Sequence, residues 1–359
     1  MQVDGLPGTS INALAQHPRN ADLLFTGNEV GVYVSVDGGD GWVRMENGLP
    51  TVPVDDIAFH AGENDLVLGT HGRGVWIMDD ITPLEELRPD VMAGGAHLFG
   101  VREATSYNAY RPQGWTPGIW EAENPPMGAR IRYLLPPEVA EAGEAEGEQE
   151  GGDATGPVSL EILDASGEVV RELDASTDPD LNEVIWDLRL AERGADGEWM
   201  DPGPRVLPGT YTARLTVEGV GTLETSVPVR LDPRADISRG DLLARQEAML
   251  DSYRLSGPAG AARAALDTAR MRLDAAEEVL DEAASTPEAV TDHLDELRDE
   301  WDDLRDELGE ESGGASMWFR IQGATMVPTE DQLRAIDESR EDLPEVIEEI
   351  NACVTGTPP

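Results

Sequence analysis

Two stretches near the start of the chain repeat each other. "INALAQHPRNADLLFTGNEVGVYVSVD" (11–37) aligns without gaps on "VDDIAFHAGENDLVLGTHGRGVWIMDD" (54–80), at an offset of 43 residues. Ala15 matches Ala58, His17 matches His60, Asp22 matches Asp65, Leu23 matches Leu66 and Asp37 matches Asp80. A repeat constrains the fold strongly, because each copy is one supersecondary unit that cannot bury its apolar face alone. The apolar runs in a copy are short and broken by turn residues: LAQH, LLFTG, GVYVSVD, then GWVRM. They predict four short antiparallel strands per copy. Four strands in 43 residues is the size of one β-propeller blade. His17 and His60 hold the same place in both copies, which points to a structural role in the repeat.

The third run of the first copy ends in SVDGGDGW (35–42). Carboxylates on a glycine-rich turn could suit a calcium ion, or the segment could be a tight turn between strands. Ser35, Asp37, Gly39 and Trp42 fit the Asp-box pattern Ser-x-Asp-x-Gly-x-Thr-Trp, with Gly41 where threonine is usual. Residues 1–88 thus resemble the last blades of an Asp-box (BNR-repeat) propeller of the sialidase-like and sortilin-like kind. The register favours the turn: Asp37 would accept backbone N–H bonds as in an Asx-turn, the glycines would supply positive φ, and Trp42 would start the fourth strand and bury itself in the blade. The second copy departs from the motif, since Ile81, Thr82 and Pro83 follow Asp80. That suits a final blade leaving the propeller. Two blades cannot close a ring and would leave edges unpaired, so further blades are expected from a longer chain or from a partner chain.

Beyond the repeat the expected organisation is multidomain, mainly β and then α. Residues 89–124 form an irregular connector with Tyr107, Tyr110, Trp115 and Trp120, which suit packing or, alternatively, a sugar-stacking platform. Residues 125–234 alternate with period two in GARIRYLL, VSLEIL, EVVREL, NEVIWDLRL, GTYTARLTVEG and LETSVPVRLDP. This predicts an immunoglobulin-like β-sandwich with Trp186 in its core. An acidic, glycine-rich insertion at 138–157 is expected to be disordered. Residues 235–352 shift to helical spacing: Leu266, Ala269, Leu273, Ala276, Leu280; then Leu294, Leu297, Trp301, Leu304, Leu308; then Leu333, Ile336, Leu343, Ile347, Ile350. A bundle of three or four helices follows, with proline at Thr286-Pro287 opening one helix. A capping box is expected at Thr329/Gln332 and a kink or restart at Pro344. Residues 353–359 are a tail.

Composition removes several function classes. The chain has 72 acidic and 26 basic residues, a formal charge of -46, and every basic residue is arginine. Such a charge repels phosphate, so nucleic acid and anionic membranes are not expected partners. Acid spread along the whole chain keeps a protein hydrated where salt screens its self-repulsion, so a high-salt source is expected; arginine from a GC-rich genome is the alternative. The single cysteine, Cys353, allows no internal disulfide. The N-terminus lacks the pattern of a signal peptide, and no apolar run is long enough to span a membrane.

The candidate ligand-binding residues are His71, Arg73 and Trp76, in GTHGRGVWIMDD (69–80). Glycines flank His71 and Arg73, and Arg73 could clamp a carboxylate or phosphate through its planar fork; the alternative is an ion pair with a local acid. No catalytic residue, metal site or cofactor is expected. The succession of Asp-box blades, Asn124-Pro-Pro, sandwich and acidic helical end resembles the C-terminal half of large sortilin-like propeller proteins, often labelled glycosyl hydrolases. The resemblance implies export, and a non-catalytic scaffold or recognition region with a protein or carbohydrate ligand. The alternative is part of a sialidase-like glycoside hydrolase whose catalytic residues lie in blades absent from this chain.

Overall fold

The computed structural model describes residues 4–46, 48–92, 94–108, 126–137, 139, 157–178, 181–194, 197, 199–281, 287–324 and 326–355. Tyr110, Trp115, Trp120, Asn124, Thr286 and nearly all of the acidic stretch 138–157 lie outside the described residues. The chain has mixed β-sheets followed by a C-terminal helical region. It divides into two compact units, one of residues 1–105, 120–187 and 209–230, the other of 106–119, 188–208 and 231–359.

In the first unit each repeat forms its own antiparallel sheet. The first has four strands in sequence order, β1 (Ile11–Gln16), β2 (Leu24–Asn28), β3 (Gly31–Ser35) and β4 (Val43–Arg44). The second has three, β5 (Val54–His60), β6 (Asp65–Thr70) and β7 (Gly74–Met78). The expected fourth strand of this copy is replaced by a short helix, α1 (Thr82–Glu86). The reason is local: Asp80 turns the chain with φ 54°, and Pro83 supplies no N–H to a ladder but suits a first helical turn.

The two sheets share one apolar core. Phe25, Val32, Leu66 and Leu68 are buried in it, with Ala15, Val34 and Trp76 packed at its edge. The repeat makes the arrangement legible. Val32 and Val34 of the first sheet face this core, and their counterparts Val75 and Ile77 in the second are 67% and 60% exposed. Conversely, Ile57 packs into the core, and its counterpart Leu14 is 68% exposed. The second sheet is thus open on its Val75/Ile77 face, whereas beside Leu14 on the first sheet the cross-strand neighbours Thr26 and Tyr33 are buried.

Helix α2 (Pro89–Met92) and strands β8 (His97–Leu98) and β9 (Ala104–Ser106) lie in the stretch expected to be irregular. The remaining strands are β10 (Ala129–Leu134), β11 (Val158–Leu163), β12 (Val169–Leu173), β13 (Asn182–Trp186), β14 (Gly209–Val217) and β15 (Gly221–Leu231). They form a three-stranded sheet, β13-β10-β8, and a five-stranded sheet, β12-β11-β14-β15-β9. Period-two alternation buries Leu160, Ile162, Ala213 and Leu215. Trp186 is fully buried, its ring 5.1 Å from that of Tyr211 in an edge contact.

A buried ion pair joins the repeat to these strands. Arg132 of β10 donates from Nη1 to the Asp80 carboxylate (2.9 Å) and carbonyl (3.1 Å), and from Nε to Glu183 (2.5 Å). The other Asp80 oxygen accepts the Thr82 hydroxyl at 2.6 Å. The Arg132 and Asp80 side chains are 9% and 2% exposed.

Among its described residues the second unit has four helices, α3 (Arg239–Asp281), α4 (Glu288–Glu311), α5 (Met317–Gly323) and α6 (Glu330–Thr355), with a 3-10 turn at Gly313–Ser316. Leu266, Trp301, Leu304, Leu308, Leu343 and Ile350 meet in its core, as their spacing predicts. Trp301 satisfies its indole N–H on the Leu266 carbonyl (2.7 Å). The Thr329/Gln332 capping box forms, with reciprocal bonds of 2.9 and 3.3 Å. Three expectations fail. Ala276 is exposed, so the first seam is broken there. Leu333 is 42% exposed, so the last seam begins at Ile336. Helix α6 does not restart at Pro344 but runs on through it, because burial of Leu343, Val346 and Ile350 on both sides of the proline outweighs one missing N–H. The helices are fastened at Gly314, whose carbonyl accepts the Ser252 hydroxyl (2.5 Å) and whose N–H donates to Ser339 (2.8 Å).

Truncating Arg132 to alanine strands the Asp80 carboxylate in a dry site. The expected loss is about 3–5 kcal/mol, read from the urea midpoint, and a loss under about 1 kcal/mol would refute this anchor. A Cβ at Gly314 would stand 2.3 Å from the Ala335 carbonyl oxygen. Gly314→Ala should therefore cost about 1–3 kcal/mol by overpacking, seen as a lower thermal midpoint of the helical signal.

Candidate functional site

The SVDGGDGW turn is closed by its own polar groups. The Ser35 hydroxyl, 1% exposed, donates to Asp37 Oδ1 (2.7 Å) and accepts the Gly39 N–H (2.9 Å). Asp37 Oδ1 also accepts the Gly41 N–H at 2.9 Å. Gly38 and Gly39 have φ of 75° and 100°, as the turn requires. The Gly41 amide first, and the Ser35 hydroxyl second, hold the Asp37 carboxyl below its usual range. Trp42 donates its indole N–H to the Gly39 carbonyl (3.1 Å). It is half-buried rather than enclosed, because β4 is only two residues long and lies at the sheet edge. Among the described residues no group of three or more His, Cys, Asp or Glu is arranged to hold a metal ion.

The turn carrying His71 and Arg73 differs from its repeat counterpart by one residue. In the first sheet Asn28 pairs with Gly31 across a two-residue loop, and its side chain caps the Val30 and Gly31 N–H groups at 2.9 and 3.0 Å. His71 stands where Asn28 does, and an imidazole cannot take both amides. The second hairpin therefore pairs Thr70 with Gly74 across three residues, 71–73. Gly72 and Gly74, with φ of 84° and 72°, allow the wider loop. His71 is released to the surface, where Nδ1 lies 3.2 Å from Asp55 Oδ2. Asn12 holds the other Asp55 oxygen at 3.2 Å. Arg73 is exposed, and its guanidinium has no partner among the described residues. The half-buried Trp76 donates its indole N–H to the Arg73 carbonyl at 3.2 Å. The turn thus places Trp76 against the Arg73 backbone, while the His71 side chain turns to Asp55. Chemically it offers a free guanidinium and an aromatic edge on a raised loop.

The paired histidines share a backbone role. His17 Nδ1 accepts the Arg19 N–H (3.4 Å) and His60 Nδ1 the Glu63 N–H (3.1 Å). His17 is also buried against Asn64, Nε2 to Oδ1 3.1 Å. Glu85 joins this cluster. Burial alone would raise its carboxyl, but hydrogen bonds from Arg19 and Asn64 and the nearby His17 outweigh that and hold it below its usual range. Neither Glu85 nor Asn64 was legible in the sequence, because they converge from 21 residues apart.

No family model matches the chain, and no curated protein matches it. Among solved structures, the extracellular domain of a one-component system from B. thetaiotaomicron is similar over 65% of this chain, at 9% identity and a TM-score of 0.18. The matched part spans 26% of that protein's chain. No helix among the described residues is long and apolar enough to cross a membrane.

Removing the Ser35 hydroxyl (Ser35→Ala) should cost about 1 kcal/mol, because the buried hydroxyl loses its bonds to Asp37 and to the Gly39 N–H. The Asp37 contribution has a defined pH sense. Its folded value is lowered, so the stabilisation is complete above the unfolded carboxyl value of about 3.9 and disappears as pH falls through the folded value. The gap between wild type and Asp37→Ala should therefore close on acidification; a gap constant from neutral to strongly acid pH would contradict it.

Proposed function

We propose that this chain is the non-catalytic scaffold and recognition region of an Asp-box, sortilin-like propeller protein, with further blades supplied by other chain segments or a partner. The repeat sheets act as two blades. The two sheets of the first unit, β13-β10-β8 and β12-β11-β14-β15-β9, serve as an immunoglobulin-like accessory module. The observation that carries this reading is the open face of the second sheet, with an exposed leucine at the edge of the first. Val75 and Ile77 are exposed at repeat positions that the first sheet buries, and Leu14 is exposed at the position that Ile57 buries. A stack of blades would cover the Val75/Ile77 face and the Leu14 edge; two blades alone leave both exposed. The β6–β7 turn, with Arg73 unpaired and Trp76 beside it, is the proposed contact for an acidic protein segment or a carbohydrate carboxylate.

The full chain by itself should self-associate through these faces, with a concentration-dependent mass in light scattering. Val75→Glu combined with Ile77→Glu should return it to a monomer with its circular dichroism unchanged. A wild-type chain that stays monomeric at high concentration would remove the basis for missing blades.

A further inference from the structure

The second unit encloses a cavity of about 340 Å³, walled by residues 205–208, by 231–237, by the first turns of α3 and by Gln322 of α5. Its chemistry runs against that of the chain. Acids outnumber arginines 72 to 26 overall, yet the wall carries Arg205, Arg234 and Arg245 against one acid, Asp232. Asp232 is already neutralised, since Arg234 holds it through Nε at 2.9 Å and Nη2 at 2.7 Å.

Arg245 is the unusual group. It is 9% exposed, and its Nε and Nη2 donate to the Ile321 and Gln322 carbonyls at 3.3, 3.1 and 2.7 Å. No carboxylate pairs with it among the described residues, and its Nη1 has no partner there. Burial pulls its guanidinium below the usual value. A buried cation without a counter-ion is costly. Two buried amides share the wall. Gln322, 6% exposed, accepts the Arg205 N–H through Oε1 (2.7 Å) and leaves Nε2 free, and Gln246, 8% exposed, has no side-chain bond among the described residues. None of these free atoms is sealed from solvent, and all three residues line the cavity. The rest of the wall is apolar, with Leu231, Ile237, Leu242 and Met249 prominent.

The geometry points to a binding site for a small organic monocarboxylate. Arg245, Gln246 and Gln322 would hold its carboxylate, and Leu231, Leu242 and Met249 its apolar tail. One unmatched guanidinium calls for one negative charge. The volume lies at the small end of ligand pockets, which begin at about 300 Å³, and suits a tail of a few carbons.

Titration calorimetry on the full chain, at about 0.15 M salt to screen its negative field, tests this with hexanoate, hexanamide and inorganic phosphate. Hexanoate should bind one to one, and the isosteric neutral amide at least tenfold more weakly. Arg245→Met should lose at least tenfold for hexanoate. Leu242→Trp fills the cavity from a half-buried position and should abolish binding with Arg245 intact, so it decides the matter if the first variant fails to fold. Equal binding of acid and amide, tighter binding of phosphate than of hexanoate, no binding of any probe, or unchanged binding in the folded variants would each overturn the assignment.

Discussion

The first unit is organised around one guanidinium. Arg132 reaches from β10 to Asp80, the residue on which the second repeat ends, and to Glu183 on β13. Asp80 in turn holds the exit turn through Thr82. A carboxylate this deeply buried is tolerated only with a partner and full hydrogen bonding. The geometry of the exit, the placing of α1 and the attachment of β10 are therefore one problem with one solution. The repeat adds a contrast. Asp37, at the equivalent position, serves an exposed turn and answers to its own backbone, whereas Asp80 answers to a residue 52 positions away.

Small sequence differences between the copies have large local effects. The two copies align without gaps, yet β2 and β6 are offset by one residue in their ladders. Asn28 caps a two-residue turn; His71 cannot, and the loop widens and lifts His71 and Arg73 into solvent. A change that costs one hairpin its capping side chain gives the other an exposed arginine on a raised loop.

Charge sets the tone of the helical unit without determining its interior. Its outer faces carry acid and arginine pairs such as Arg340 with Asp251 and Asp337, which contribute little each because water and salt screen them. Inside, packing decides. Trp301 and its leucine neighbours form the core, and Gly314 lets α6 approach the 3-10 turn closely enough for Ser339 to bond its backbone. The cavity at the start of α3 is the exception, a place where Arg245 of an acidic chain turns inward.

Much of the fold was legible in the sequence because it rests on local periodicity. The 43-residue repeat, the alternation that buries Ile162 and Leu215, the seam through Leu304 and Leu308, the Thr329/Gln332 cap and the hydrogen bonds of Ser35 and Asp37 all depend on neighbours a few positions apart. Of the candidate site, the sequence named His71, Arg73 and Trp76, but not the widened turn that separates His71 from the other two. The uninterrupted α6 and the strands at 97–98 and 104–106 were not legible, since each turns on tertiary burial that outweighs local preference, whereas the missing fourth strand follows from Asp80 and Pro83 close to where it would start. Sequence alone determined where strands, turns and helices begin, because backbone propensity and side-chain period act over short range. Only tertiary structure decided that Arg132 meets Asp80, that Val75 is open where Val32 is closed, and that Arg245 is buried without a counter-ion, because those are meetings of residues that the chain keeps far apart.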